Sequence, residues 1–159
     1  MTPKVQDVVL YLLRKYPHPK QMTDERLTQT VYLCDWVQAI RQQKQITEIP
    51  WYYASYGPFV DDIKKVVEEN PHLFKSTPRK TPGLRITKNL ISLTRAGKRE
   101  KIDLSEDEIS SMDHIIKVTQ DRDQMKFLRL IYSTFPIIKS EQYSLLNLVE
   151  LAEEYKQEA

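Results

Sequence analysis

Apolar residues near the N-terminus recur at Val5, Val8, Val9, Leu12, Leu13 and Tyr16, the i, i+3, i+4 spacing of one helix face. Pro17-His18-Pro19 ends that helix, because proline cannot continue the hydrogen-bond ladder. Thr23 or Asp24 is placed to cap a second helix running to about residue 44. Its face of Leu27, Val31, Cys34 and Val37 is widened by Leu33 and Ile40, which predicts the central buried helix. The pattern then changes. Ile49 to Tyr56 is rich in β-branched and aromatic residues and predicts a short strand. Tyr56-Gly57-Pro58 turns the chain into a third helix, with Gly57 tolerating unusual dihedrals and Pro58 suited to the first helical position. Phe59, Ile63, Val66 and Val67 form its inward stripe, and Asn70-Pro71 closes it.

Residues 72–101 lose the helical period. Thr77-Pro78 and Thr81-Pro82-Gly83 mark loops, while Leu84–Thr87 and Leu90–Thr94 predict a hairpin turning at Lys88-Asn89. Helical patterning resumes at Ser105-Glu106-Asp107-Glu108, a capping box that opens a helix with Ile109, Met112, Ile115 and Ile116 inward. The next helix carries Met125, Leu128, Ile131, Tyr132 and Phe135 inward and stops at Pro136. The last runs from about Ser144 and buries Leu145, Leu148, Val149 and Ala152. The pattern therefore predicts a mainly α (α+β) fold of about six helices. It forms a single compact helical domain over residues 1–159, with a small β-hairpin like the wing of a winged-helix protein. Residues 1–101 would form a core bearing the hairpin, and 102–159 a helical part packed on it.

Composition narrows the class. At 159 residues, 40% apolar and 29% charged, the chain suits one hydrophobic core. No apolar run approaches membrane-span length, and Lys4, Asp7, Arg14 and Lys15 break the first segment, so a cytoplasmic protein is expected. A lone Cys34 excludes an internal disulfide and any multi-cysteine metal site. The net charge of +2 conceals a segregation. Residues 75–101 hold nine basic groups against Glu100, a local +8, and the other fifteen basic and twenty-one acidic residues leave the rest at −6.

The search for catalysis is negative. His18, His72 and His114 lie far apart and match no metal-ligand spacing. Three glycines leave no phosphate-cradling loop, and no G-x-S-x-G elbow occurs. Cys34 falls on an apolar stripe, where a small core residue is expected. No enzyme, cofactor or metal is expected. Two clusters remain. Tyr32, Asp35 and Trp36 share one helix face, and Trp51, Tyr52, Tyr53 and Tyr56 follow. Such residues serve either a recognition surface or an aromatic core whose polar tips reach Asp35. Asp61 and Asp62 belong either with that surface or with the charge of a helix N-terminus. Arg79, Lys80, Arg85, Lys88, Arg95, Lys98 and Arg99 form the basic hairpin region. They suit a phosphate backbone, an acidic protein face or plain solvent.

The stretch Leu27-Thr28-Gln29-Thr30-Val31-Tyr32-Leu33-Cys34-Asp35-Trp36, followed by Tyr56-Gly57-Pro58-Phe59-Val60-Asp61-Asp62-Ile63, resembles the SocA-like Panacea domain family. Ile131-Tyr132-Ser133-Thr134-Phe135-Pro136 is similar to the helical tail of some members. The resemblance implies an antitoxin-type protein of prophages and other mobile elements that neutralises a protein toxin, or another host or phage protein, by direct binding. Some members deliver their partner to a protease, and antitoxins can also bind DNA. Carried over by position, Tyr32, Asp35, Tyr56, Gly57, Pro58 and Asp61 are the signature residues, with Trp36 and Asp62 beside them. Gln29 and Thr30 depart from the family's Lys-Leu pair.

Overall fold

The computed structural model describes residues 3–79 and 88–158. Among these, eight helices and two small antiparallel sheets follow one another, so the mainly α class holds with more helices than expected. The first half contains α1 (Pro3–Lys15), α2 (Asp24–Gln42), strands β1 (Tyr53–Ala54) and β2 (Gly57–Pro58), then α3 (Asp62–Glu69). Strands β3 (Phe74–Arg79) and β4 (Lys88–Leu93) lead into α4 (Arg95–Arg99). The remaining helices are α5 (Glu106–Thr119), α6 (Gln124–Tyr132), α7 (Phe135–Lys139) and α8 (Leu148–Glu158). No helix among the described residues is long and apolar enough to cross a membrane.

Helix α2 lies at the centre. Every residue from Arg26 to Trp36 is buried, and α3, α5, α8 and β4 pack around it. A helix enclosed on all sides needs partners for its polar groups as well as apolar packing. Thr23 caps it by accepting from the Arg26 N–H, and Gln43 closes it in the left-handed conformation (φ 63°). Helix α1 buries Val5, Val8, Val9, Leu12 and Tyr16 as its spacing predicts, and Leu10 and Tyr11 besides. Its polar positions reach the C-terminal half: Lys4 pairs with Glu108 at 2.8 Å, and the Tyr11 hydroxyl donates to Asp113. The Ser105/Glu108 capping box forms as written.

Four expectations are corrected. The basic hairpin pairs β3 with β4 in a register running from Phe74↔Leu93 to Arg79↔Lys88, so Lys88-Asn89 lies within a strand and not at the turn. Only Phe74 of β3 is buried, so that strand carries no apolar alternation to announce it. Pro78 is tolerated because β3 is an edge strand. The expected strand Leu84–Thr87 lies outside the described residues, as do Lys80 and Arg85. Secondly, Pro58 belongs to β2, and α3 starts only at Asp62, because the Phe59 N–H donates to the Tyr52 carbonyl and keeps the chain extended. Thirdly, α6 turns Phe127 and Ile131 inward and leaves Met125 and Tyr132 exposed. It ends before Pro136, which sits in the first turn of α7. Lastly, α8 begins at Leu148 instead of near Ser144, because backbone hydrogen bonds hold residues 143–146 against residues 51–53, with Tyr143 in the left-handed conformation (φ 66°). Strand alternation then sends Leu146 inward and leaves Leu145 73% exposed.

Candidate functional site

The aromatic and acidic residues that stood out in the sequence are distributed along α2 and the segment that follows it, and they divide by depth. Asp35 is fully buried and organises residues 45–51 around its carboxylate. Oδ1 accepts from the backbone N–H groups of Ile46 and Thr47, each at 3.0 Å. Oδ2 accepts from the Trp51 indole at 2.9 Å, from the Thr47 hydroxyl and, at 3.4 Å, from the Gln45 amide. Burial raises the Asp35 pKa to about 6, against the lowering effect of these donors. Burial, together with the Asp35 charge, also pushes the Cys34 thiol well up, which disfavours the thiolate a nucleophile needs.

Tyr32 is equally buried. Its ring meets Trp51 edge-on at 5.6 Å, and its hydroxyl lies 2.8 Å from Thr134 Oγ1 between α6 and α7. Trp36 stacks on Phe135 and meets Tyr155 of α8 edge-on, at 6.4 and 5.7 Å between centroids. Tyr32, Asp35 and Trp36 thus share a face that points inward and joins α2 to three later segments. Among the described residues no group of His, Cys, Asp and Glu could hold a metal ion.

Trp51, fixed by Asp35, leads into the β1–β2 hairpin. Gly57 is buried at φ 101°, a conformation that side chains rarely adopt, and Pro58 is buried beside it. The Gln29 amide donates to the Tyr56 carbonyl at 3.1 Å, so the position that departs from the family's lysine holds the turn. On the other side residues 143–146 lie against residues 51–53 through a single bridge between Tyr52 and Leu145. Tyr143 N–H donates to Tyr53 O, Tyr53 N–H to Ser144 O at 2.9 Å, and Leu146 N–H to Trp51 O at 2.8 Å. Ser55 Oγ and the Tyr143 hydroxyl are 3.2 Å apart.

What this frame presents to solvent is an aromatic rim. Tyr56 at the hairpin tip is 78% exposed, and Tyr143 beside Ser55, Leu145 opposite Tyr52 and Tyr132 next to Gly57 are exposed as well. Asp61 is exposed and Asp62 half-buried at the following turn. Tyr132 and Leu145 had been expected in the core, and Tyr143 carried no expectation at all. An aromatic isolated in the polar run Lys139–Ser144 was the available signal, since a core residue there would need apolar neighbours in period.

The basic residues are not one patch. Arg79 and Lys88 face each other at the end of the β3–β4 pairing where the chain passes from one strand to the other. Arg95, Lys98 and Arg99 are exposed on α4 at its other end, about 17 Å away at strand rise. Helix α4 is fixed by Thr94, whose hydroxyl donates to His72 O, and by Arg14, which donates to Gly97 O and Glu100 O.

A mainly α domain whose buried aspartate and tyrosine anchor an aromatic strand and a Tyr-Gly-Pro hairpin defines the class. The family model for the antitoxin SocA-like Panacea domain matches residues 27–134, two thirds of the chain, and the protein belongs to that family. No curated protein and no solved structure matches it. The family places the chain among antitoxin-like proteins, with a role connected to toxin–antitoxin systems. The matched span begins within α2 and ends before α7, so α1, α7 and α8 lie beyond it.

Proposed function

We propose that the protein is a non-catalytic cytoplasmic binding protein that neutralises a partner protein toxin by direct contact, and that the whole chain acts as one Panacea-like unit. The observation that carries this reading is the exposed rim of Tyr56, Tyr132, Tyr143 and Leu145 built around the signature hairpin. Large aromatics held on rigid backbone give contact area at low entropic cost, the property of binding hot spots. Of the candidate residues, Tyr56 and Asp61 are exposed and Asp62 half-buried, and on this reading they touch the partner. Tyr32, Asp35, Trp36, Gly57 and Pro58 are buried and act by holding Tyr56 in position.

The test is co-expression with the product of the adjacent gene in a growth assay. The wild-type chain should relieve toxicity. A variant carrying Tyr56→Ala and Leu145→Ser should fail to do so while keeping its melting temperature, because both side chains are exposed. Relief that survives both changes, or the absence of any toxicity to relieve, would overturn the reading.

A second reading, DNA binding, is favoured by the exposed cations of α4 together with Lys75 and Arg79 on β3. Its signature is affinity for duplex DNA that falls steeply with salt, with a shallower slope once Arg95, Lys98 and Arg99 are changed to Ala.

A further inference from the structure

Two clefts meet at Lys88. One, of about 400 Å³, is lined by four cations, Lys20, Arg26, Arg79 and Lys88, and by a single carboxylate, Asp123. That carboxylate is committed to capping α6, accepting from the Lys126 N–H at 2.9 Å. Thr23, the cap of α2, lines the same cleft, so two helix N-termini add their partial positive charge to it.

Arg26 is the unusual member, because it is only 2% exposed. Its Nη2 donates to the Tyr16 hydroxyl and to the carbonyls of Thr119 and Arg122, and its guanidinium lies 4.3 Å from the Phe127 ring centre. Its Nε has no hydrogen-bond partner, and no carboxylate among the described residues comes within ion-pair distance of it. A buried arginine without an ion pair, beside Lys20, Arg79 and the Glu25-paired Lys88 and facing only Asp123, leaves the cleft net positive.

The second cleft, of about 380 Å³, lies across Lys88 and is lined by Asp24, Glu25, Gln29, Ala54, Tyr56 and Phe59. Lys88 reaches Glu25 at 3.6 Å and offsets that acid's charge. Gln29 is 1% exposed, and its Nε2 is used on Tyr56 O. Its Oε1 is a buried acceptor with no donor. Arg26 and Gln29 are three residues apart on α2, so their Cβ atoms are about 5–6 Å apart on one helix surface. An unanswered cation and an unanswered acceptor therefore stand side by side, the acceptor next to aromatic rings.

We propose that the paired clefts form a nucleotide site. The phosphate would lie against Arg26, Lys20 and Arg79, and the base against Tyr56 and Phe59, donating an N–H to Gln29 Oε1. A recessed guanidinium is reached by a terminal phosphate and not by the continuous backbone of a duplex, which favours a free nucleotide over DNA. The proposal goes beyond the toxin-binding reading and does not depend on it.

Calorimetry on the full chain at low salt tests it with four probes: inorganic phosphate, a nucleoside, nucleoside mono- and diphosphates, and a short DNA duplex. A nucleotide should bind at least about tenfold more tightly than either phosphate or nucleoside alone. The exposed double variant Lys20→Ala, Arg79→Ala should weaken nucleotide binding by about tenfold or more with an unchanged melting temperature. Gln29→Leu should weaken nucleotide but not phosphate. No nucleotide binding at millimolar concentration, equal affinity for phosphate and nucleotide, indifference to the Lys20/Arg79 change, or binding of the duplex alone would each overturn the site. Growth rescue is read in a separate assay, so either idea can fail while the other stands.

Discussion

Asp35 shows how a single side chain fixes an irregular segment. Residues 45–51 form no helix or regular strand, yet Ile49 and Trp51 within them are buried, because one carboxylate collects two backbone N–H groups, an indole, a hydroxyl and an amide. Asp35→Ala leaves several buried donors without an acceptor and should cost at least about 3 kcal/mol in urea unfolding. The carboxyl also sets a pH dependence. Its folded-state pKa of about 6 lies above the ordinary aspartate value of 3.8, so the folded state holds the proton more firmly than the unfolded chain. That contribution to stability is complete below about pH 4 and is lost as pH rises through 6, amounting to about 3 kcal/mol. Urea midpoints taken from pH 4.5 to 7 should therefore fall with rising pH, and Asp35→Asn should remove that slope. Glu108, held below the usual carboxylate range once Lys4 and Ser105 outweigh its burial, acts with the opposite sign, destabilising the fold as pH falls below about 4.5. The hub itself was half legible. The sequence placed Asp35 beside tyrosine and tryptophan, but burial and exposure were equally open until Trp51 was seen to donate to it.

Elements were legible where a cap and an apolar period agreed. Helices α2 and α5 carry both, α1 carries the period and a proline stop, and the structure returns all three almost as written. The hairpin was misplaced because β3 shows solvent five of its six side chains, leaving no hydrophobic record of the strand. Helix α4 escaped notice because it is five residues long and is held by contacts from elsewhere in the chain. Its Gly97 illustrates the point: a Cβ there would lie 2.2 Å from the Leu73 carbonyl oxygen, a backbone atom that cannot step aside. Gly97→Ala should accordingly destabilise the protein by about 1–3 kcal/mol in thermal or urea unfolding. Ala96→Gly, on the exposed side of the same turn, should cost about 1 kcal/mol or less. Equal losses for the two changes would show that close packing on Leu73 is not what the glycine serves.

At the scale of the molecule, the buried core draws on residues from Val5 to Ala152, and several of its polar ties are long-range. Tyr32 reaches Thr134, Tyr11 reaches Asp113, and Gln38 accepts from Ser111 at 2.6 Å. No local pattern could announce such pairs, which is why the helical C-terminal part was foreseen but its attachment to the hairpin was not. That attachment separates two tasks along the chain. Residues 27–134 carry the family signature and fix the hairpin, whereas Tyr143 and Leu145, which lie beside Ser55 and Tyr52, come from beyond that span. On the toxin-binding reading, the frame and the specificity of the rim are then written in different stretches of sequence. Exchanging residues 141–145 for those of another family member, with Leu146 left in the core, should alter which toxin is neutralised while moving the unfolding midpoint little; a change in stability without a change in partner would refute it. An exposed segment seated beside a fixed hairpin would let one scaffold meet different opponents without being refolded.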